Sequence, residues 1–180
     1  MKPAAATRVM VGVSESLAGL AALRYAVAEA RRRGSVLHAV RAWQFAVAWR
    51  GDDAELCRDG LALEAAMLVR RAFDNAMGGV PTDITIMATV REGVAGTILP
   101  ALASRDDDVL VVGGPSQRRW LLPRVTRHCL RRASCPVIVV APPVLARARH
   151  PRALVRQLRR EVRRGGAAPT PQTPRAEADT

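Results

Sequence analysis

The stretch Val109 to Val140, VLVVGGPSQRRWLLPRVTRHCLRRASCPVIVV, constrains the fold of this chain more than any other. An apolar run, a glycine pair, a polar loop, a helical segment and a second apolar run follow one another in that order. Two short strands joined through a helix are expected to lie parallel, because antiparallel neighbours need only a tight turn. Sheets of this kind hold ligands beyond the carboxyl ends of their strands, so the turn at Gly113-Gly114 is a natural candidate site.

The same unit recurs upstream. Arg8 to Val13 (RVMVGV) is rich in β-branched residues and bounded by Ser14-Glu15-Ser16, which predicts a buried first strand. Leu20, Leu23, Ala26, Val27 and Ala30 then recur at helical spacing. Arg31, Arg32 and Arg33 occupy the last turn, where cations suit the helix dipole, and Gly34 supplies the cap. Ser35 to Ala42 predicts a second strand. A long helix follows from about Asp52 and Asp53 to Gly78-Gly79, with Leu61, Leu63, Ala66, Met67, Val69, Ala72 and Phe73 as its apolar residues.

Asp83 to Val90 predicts the third strand, and Val94 to Ala103 a short helix that Pro100 is expected to kink or break. Asp106-Asp107-Asp108 reads as a polar turn into the fourth strand, Val109 to Val112. Arg124 to Arg132 is the fourth helix and Pro136 to Ala141 the fifth strand. The alternation predicts an α/β fold with a mostly parallel, doubly wound sheet. With 180 residues, 49% of them hydrophobic, the chain can bury one sizeable core. Aromatic residues make up 3%, so that core is aliphatic.

Residues 1–142 form the expected domain and 143–180 a basic tail. Pro142-Pro143 stops the last strand, and after it nine arginines face only Glu161, Glu177 and Asp179 in a chain of net charge +12. Arg152 to Arg164 reads as an amphipathic helix with Leu154, Val155, Leu158 and Val162 on one face. The Pro-, Thr- and Ala-rich residues beyond Gly165-Gly166 read as disordered. The tail could pack on the domain, lie on an anionic membrane surface, or meet an acidic partner or nucleic acid. It has no aromatic residue to stack on bases, so only non-specific electrostatic contact is expected of it.

MKPAAATR lacks the apolar run of a signal peptide, and no stretch is apolar enough to span a membrane, so a cytoplasmic location is expected. Cys57, Cys129 and Cys135 lack paired spacing and are expected to be free thiols. His128-Cys129 with Cys135 matches no zinc template, and the three aspartates enter the amino end of a strand, so no metal site is expected. No Ser-His-Asp or Cys-His set assembles at the carboxyl edge, and His38 reads as a core or edge histidine. The chain is therefore not expected to be an enzyme.

The run VMVGVSES, continued by AGLAALRYAVAEARRRG and SVLHAVRAW, together with REGVAGTILPALASRDDDVLVVGG and CPVIVV, resembles a universal stress protein domain from about Thr7 to Pro142. The resemblance implies a five-stranded parallel sheet of order 3-2-1-4-5 with helices on both faces, the adenine nucleotide alpha hydrolase-like fold. It also implies a homodimer through the last strand, here Pro136 to Ala141, and a crevice for ATP with Mg²⁺. Residue by residue it places Gly12 and Ser14 at the base-contacting turn, Val40 at the adenine wall and Gly113 at the first motif glycine. Gly114 stands beside it, and Val125 follows the motif.

The remaining motif positions depart from that pattern. Ser14 stands at the aspartate position, Ser116 at the second glycine, Pro123 at the third, and Arg124 at the phosphate-binding hydroxyl, in a shortened loop. Proline lacks the N–H a phosphate loop offers, while Arg118, Arg119 and Arg124 could hold phosphate through their side chains. The expectation is a binding or regulatory module of the stress response with a degenerate nucleotide crevice. The alternatives are a stress domain that dimerises or binds partners without a nucleotide, and nucleic-acid contact through the tail.

Overall fold

The computed structural model describes residues 7–45, 53–115 and 122–143. Strand β1 (Arg8–Gly12) leads into helix α1 (Leu17–Arg33), β2 (Val36–Trp43), α2 (Asp53–Met77) and β3 (Ile86–Glu92). Helix α3 (Ala95–Leu102), β4 (Val109–Gly113), α4 (Arg124–Arg132) and β5 (Val137–Val140) follow. The strands form one parallel sheet of order β3-β2-β1-β4-β5, the order the resemblance implies.

The period-2 alternation of β1 divides the core in two. Val9 and Val11 join a cluster with Leu23, Ala26 and Val27 of α1 and Val69 and Phe73 of α2. Met10 turns to the opposite face and meets Leu99 of α3 and Cys129 of α4. Helices therefore cover both faces, as expected of a doubly wound sheet. Gly34 ends α1 with φ 59°, and its N–H reaches the carbonyls of Ala30 and Arg31, a left-handed cap that favours glycine.

Several local expectations are corrected. The third strand begins at Ile86 rather than Asp83, because Asp83 turns outward to bind Arg31 of α1 through two bonds of 2.6 and 2.8 Å. Pro100 does not break α3, which continues through Leu102. A helix this short loses a single backbone bond to the proline, and the buried packing of Leu99 and Pro100 holds the turn. On α2 the buried residues are Ala65, Val69, Ala72, Phe73 and Ala76. Leu63, Ala66 and Met67, read from the sequence as part of that face, are exposed on another.

The polar turn before β4 is also only partly as expected. Asp106 and Asp107 are exposed, but Asp108 is fully buried. Its carboxylate accepts from Arg8 Nε at 2.8 Å and Nη2 at 2.6 Å, and from the Arg105 backbone N–H at 3.1 Å. Cys57, Cys129 and Cys135 are free thiols, and burial pushes the Cys129 thiol up to about 11. Ser116, Arg118, Arg119 and the tail from residue 144, including the expected helix at Arg152 to Arg164, lie outside the described residues.

Candidate ligand crevice

The strand order locates the site. From β1 the chain winds outward through β2 to β3, then returns to place β4 on the other side of β1, so the connections diverge between β1 and β4. A cavity of about 260 Å³ lies at the carboxyl ends of these strands, close to the lower size of small-ligand pockets. Gly12, Val40, Leu99, Val112 and Val125 supply its apolar walls. Ser14, Ser16 and Thr126 supply hydroxyls.

Six of the expected site residues, Gly12, Ser14, Val40, Gly113, Gly114 and Val125, are thus brought together. Arg124 is not among the lining residues; it is exposed at the start of α4. Pro123, immediately before it, lines the cavity and offers no N–H. Ser116 and Arg118 have no described position here.

The glycines and serines have local reasons. Ser16 caps α1, its Oγ accepting the Gly19 N–H at 3.0 Å, and the Ser14 and Ser16 hydroxyls are hydrogen-bonded at 2.9 Å. A side chain at Gly19 would overlap Ser14 Oγ and lie 2.5 Å from the Ser14 carbonyl oxygen. A Cβ at Gly113 would stand 3.0 Å from the backbone of Ala18, so β4 ends directly against the first turn of α1. Gly12 packs under Leu99, where a Cβ would come within 2.8 Å of a methyl group.

Gly114 differs from its expected role. Its N–H donates to the Val140 carbonyl at 2.7 Å, extending the β4–β5 ladder, so that donor is engaged rather than turned to an anion. A Cβ there would meet Val139 at 2.8 Å, which makes the glycine a packing requirement of β5.

Two residues that sequence reasoning missed complete the site. Thr126 is 1% exposed, and its Oγ1 donates to the Gly113 carbonyl at 2.9 Å, tying α4 to the end of β4. The sequence signal was its place three residues before Cys129 on the inner face of α4. Arg41 is the one ionisable residue among the described lining residues. Its Nη1 donates to the Val13 carbonyl at 3.3 Å, and its Nε is buried without a hydrogen-bond partner.

Helix α4 begins at Arg124 with Pro123 as its cap residue and no side-chain cap, while Val125 and Thr126 of its first turn line the cavity. Uncapped N–H groups and the positive end of the dipole are thereby presented beside an apolar chamber. Among the described residues no carboxylate lines the cavity, and no three His, Cys, Asp or Glu side chains converge as a metal set. His38 is half-buried on β2, its pKa held below the usual value by burial and then by the charge of Arg8. His128 packs against Gly96 of α3.

The model of the universal stress protein family matches residues 6–141, which spans the whole sheet and every lining residue. The chain belongs to the universal stress protein family. Among solved structures, this universal stress protein is similar to UspA from Lactobacillus plantarum, with 22% identity and a TM-score of 0.58 over 76% of this chain and 99% of that one. It is also similar to a universal stress protein in complex with cAMP, at 24% identity and TM-score 0.53 over 78% and 100% of the two chains. A family member from Arabidopsis thaliana with AMP bound matches at 18% identity and TM-score 0.51, over 77% and 93%. At these identities the likeness is one of fold. No curated protein sequence matches the chain. No helix among the described residues is long and apolar enough to cross a membrane.

Proposed function

We propose that this universal stress protein is a cytoplasmic binding or regulatory module that holds an adenine-type nucleotide in the β1–β4 crevice without turning it over. The carrying observation is the cavity itself, with apolar walls at Val40 and Leu99 for a base and the uncapped first turn of α4 beside them. Relatives of the same fold that hold cAMP or AMP support this class of ligand.

The proposed crevice is degenerate on its phosphate side. Pro123 lacks an N–H, the Gly114 N–H is engaged, and Ser14 offers a hydroxyl where a carboxylate is expected. Phosphate would rest on the dipole of α4 and on neighbouring arginine side chains. Mg²⁺ would be held by the phosphates, since no carboxylate is among the described lining residues. The described lining residues include no carboxylate or histidine to act as a base, so binding rather than hydrolysis is the proposed role.

The edge of β5 is the proposed homodimer surface. The Pro136 and Val140 carbonyls accept from β4, so alternation turns the backbone of Val137 and Val139 outward.

A thermal shift with ATP, AMP and cAMP, with and without Mg²⁺, tests the nucleotide reading. Ligand at about 100-fold above its Kd adds about 2.7 kcal/mol, and no added phosphate release accompanies it. Ala95→Trp, which fills the cavity from α3, removes the shift. No shift at millimolar nucleotide would sink the reading and leave the second one, a stress domain working through partner contacts, which Pro123 and the engaged Gly114 already favour.

A further inference from the structure

The outer surface of α2 carries an apolar stripe that the described residues leave exposed. Leu56 is 74% exposed, Leu63 64% and Met67 54%. With Gly60 they recur every three or four residues, which keeps them on one line along the helix, away from the buried face of Val69 and Phe73. Gly60 is exposed, and a Cβ there would meet no atom within 4 Å. Among the described residues nothing asks for that glycine, although alanine would favour the helix.

Two charges flank the stripe on the same side. Asp59 and Arg70 have no ion-pair partner among the described residues. They are eleven residues apart, about 16.5 Å along the helix axis, too far to pair with each other.

We propose that α2 is a contact between two copies of this chain, with the two helices antiparallel about a two-fold axis beside Leu63. Met67 of each copy then fills the space left by the partner's Gly60, and the two Leu63 side chains meet near the axis. Asp59 of each copy comes beside the partner's Arg70, so the contact is isologous and each feature is used twice. A parallel two-fold would carry the partner's Asp59 and Arg70 to the opposite flank of the contact, out of reach of these two, so only the antiparallel pairing joins the opposite charges. A uniformly basic or acidic partner would oppose one of the two charges.

The contact is small, so its affinity is weak and concentration-dependent. Helix α2 packs over β2 and β3, while β5 lies at the other end of the sheet. The two edges are therefore separate and can act together.

Sedimentation velocity on the full chain over a range of concentrations tests the proposal, with circular dichroism to confirm that each variant is folded. Leu63→Glu and Met67→Glu are each expected to raise the dissociation constant by about tenfold or more. Asp59→Arg and Arg70→Asp each weaken association, and the two together restore it. Gly60→Ala raises the melting temperature yet weakens association, a split that a merely structural glycine would not show. The proposal is overturned if Leu63→Glu associates like the wild type, if the double charge swap fails to restore what the single changes lose, or if every association disappears with Val139→Pro on β5. It is equally overturned if the wild type stays monomeric, which would leave the stripe to a different protein.

Discussion

Strands β1 and β4 lie side by side, and their two ends are built on opposite principles. At the amino ends Arg8 and Asp108 close the gap with two charge-assisted bonds, a third bond arrives from the Arg105 N–H, and the Asp108 side chain is fully buried. At the carboxyl ends the same strands border a cavity with hydroxyls, glycines and the buried Nε of Arg41, which has no partner. One end has its polar groups satisfied and little room for a ligand. The other keeps room and unused hydrogen-bonding capacity, which is what a binding site requires and a stabilising site avoids.

Removing Asp108 breaks this contrast most severely. Asp108→Ala leaves the Arg8 guanidinium, whose side chain is 23% exposed, without its partner, and the expected cost is about 3 kcal/mol by chemical denaturation. The nucleotide-induced shift, measured from the variant's own baseline, is expected to persist because the crevice lies at the opposite ends of the strands. A loss of that shift with little loss of stability would reverse the assignment of the two ends.

The matching change at the carboxyl end is Gly19→Ala. Alanine gains about 1 kcal/mol of helix propensity over glycine. The new methyl group, however, overlaps Ser14 Oγ and crowds the Ser14 carbonyl, backbone that cannot swing aside. Overpacking of this kind costs about 2 kcal/mol, so the net effect is destabilising, and the Ser14 turn moves at the cavity wall. Here stability and the nucleotide shift are expected to fall together. A variant as stable as the wild type with unchanged binding would show that the turn does not shape the crevice.

How much of this contrast was legible in the sequence follows from what each residue's signal depends on. The strands depend on local apolar runs, which one chain displays; the strand order that sets the switch at β1–β4 and the clustering of Gly12, Ser14, Val40 and Gly113 came through the resemblance to the family. The burial of Asp108 depends on Arg8, one hundred positions away, and three identical aspartates give no sign of which one turns inward. Arg124 was a question of direction. Its charge suggested phosphate, but the first turn of α4 points Val125 and Thr126 inward and leaves Arg124 outside. Helix α2 misled for a related reason: it is apolar on two stripes, and periodicity alone does not say which one faces the sheet.

Acid provides a milder test at the end of α1. Glu29 accepts from Arg32 at 2.9 and 2.7 Å and from Arg33 at 2.5 Å, and these bonds hold its carboxyl down at about 2. Asp108 also lies below the usual range: burial pushes it up, but the bonds from Arg8 and Arg105 outweigh that. A carboxyl whose folded pKa is depressed stabilises the protein above its unfolded value, and that contribution disappears as pH falls through the folded one. Stability is therefore expected to decline from about pH 4.5 toward about pH 2, read from denaturation midpoints along the pH series. Glu29→Gln makes the decline shallower; an unchanged slope would mean the arginine clamp contributes nothing.

The smallest expected effect separates the two roles within the crevice itself. Thr126→Val keeps the shape of a buried side chain but removes the hydroxyl that donates to the Gly113 carbonyl at 2.9 Å. A lost neutral hydrogen bond with its acceptor left partly buried costs about 1 kcal/mol, whereas Thr126→Ser keeps the bond and loses only a methyl group. If the bond serves mainly to fix α4 against β4, valine weakens nucleotide binding by loosening the helix end that faces the ligand, and serine restores it. Equal binding by threonine, serine and valine would instead mean that the first turn of α4 is positioned by the packing of Val125 and Cys129 alone. The crevice would then take its shape from the same apolar core as the rest of the sheet.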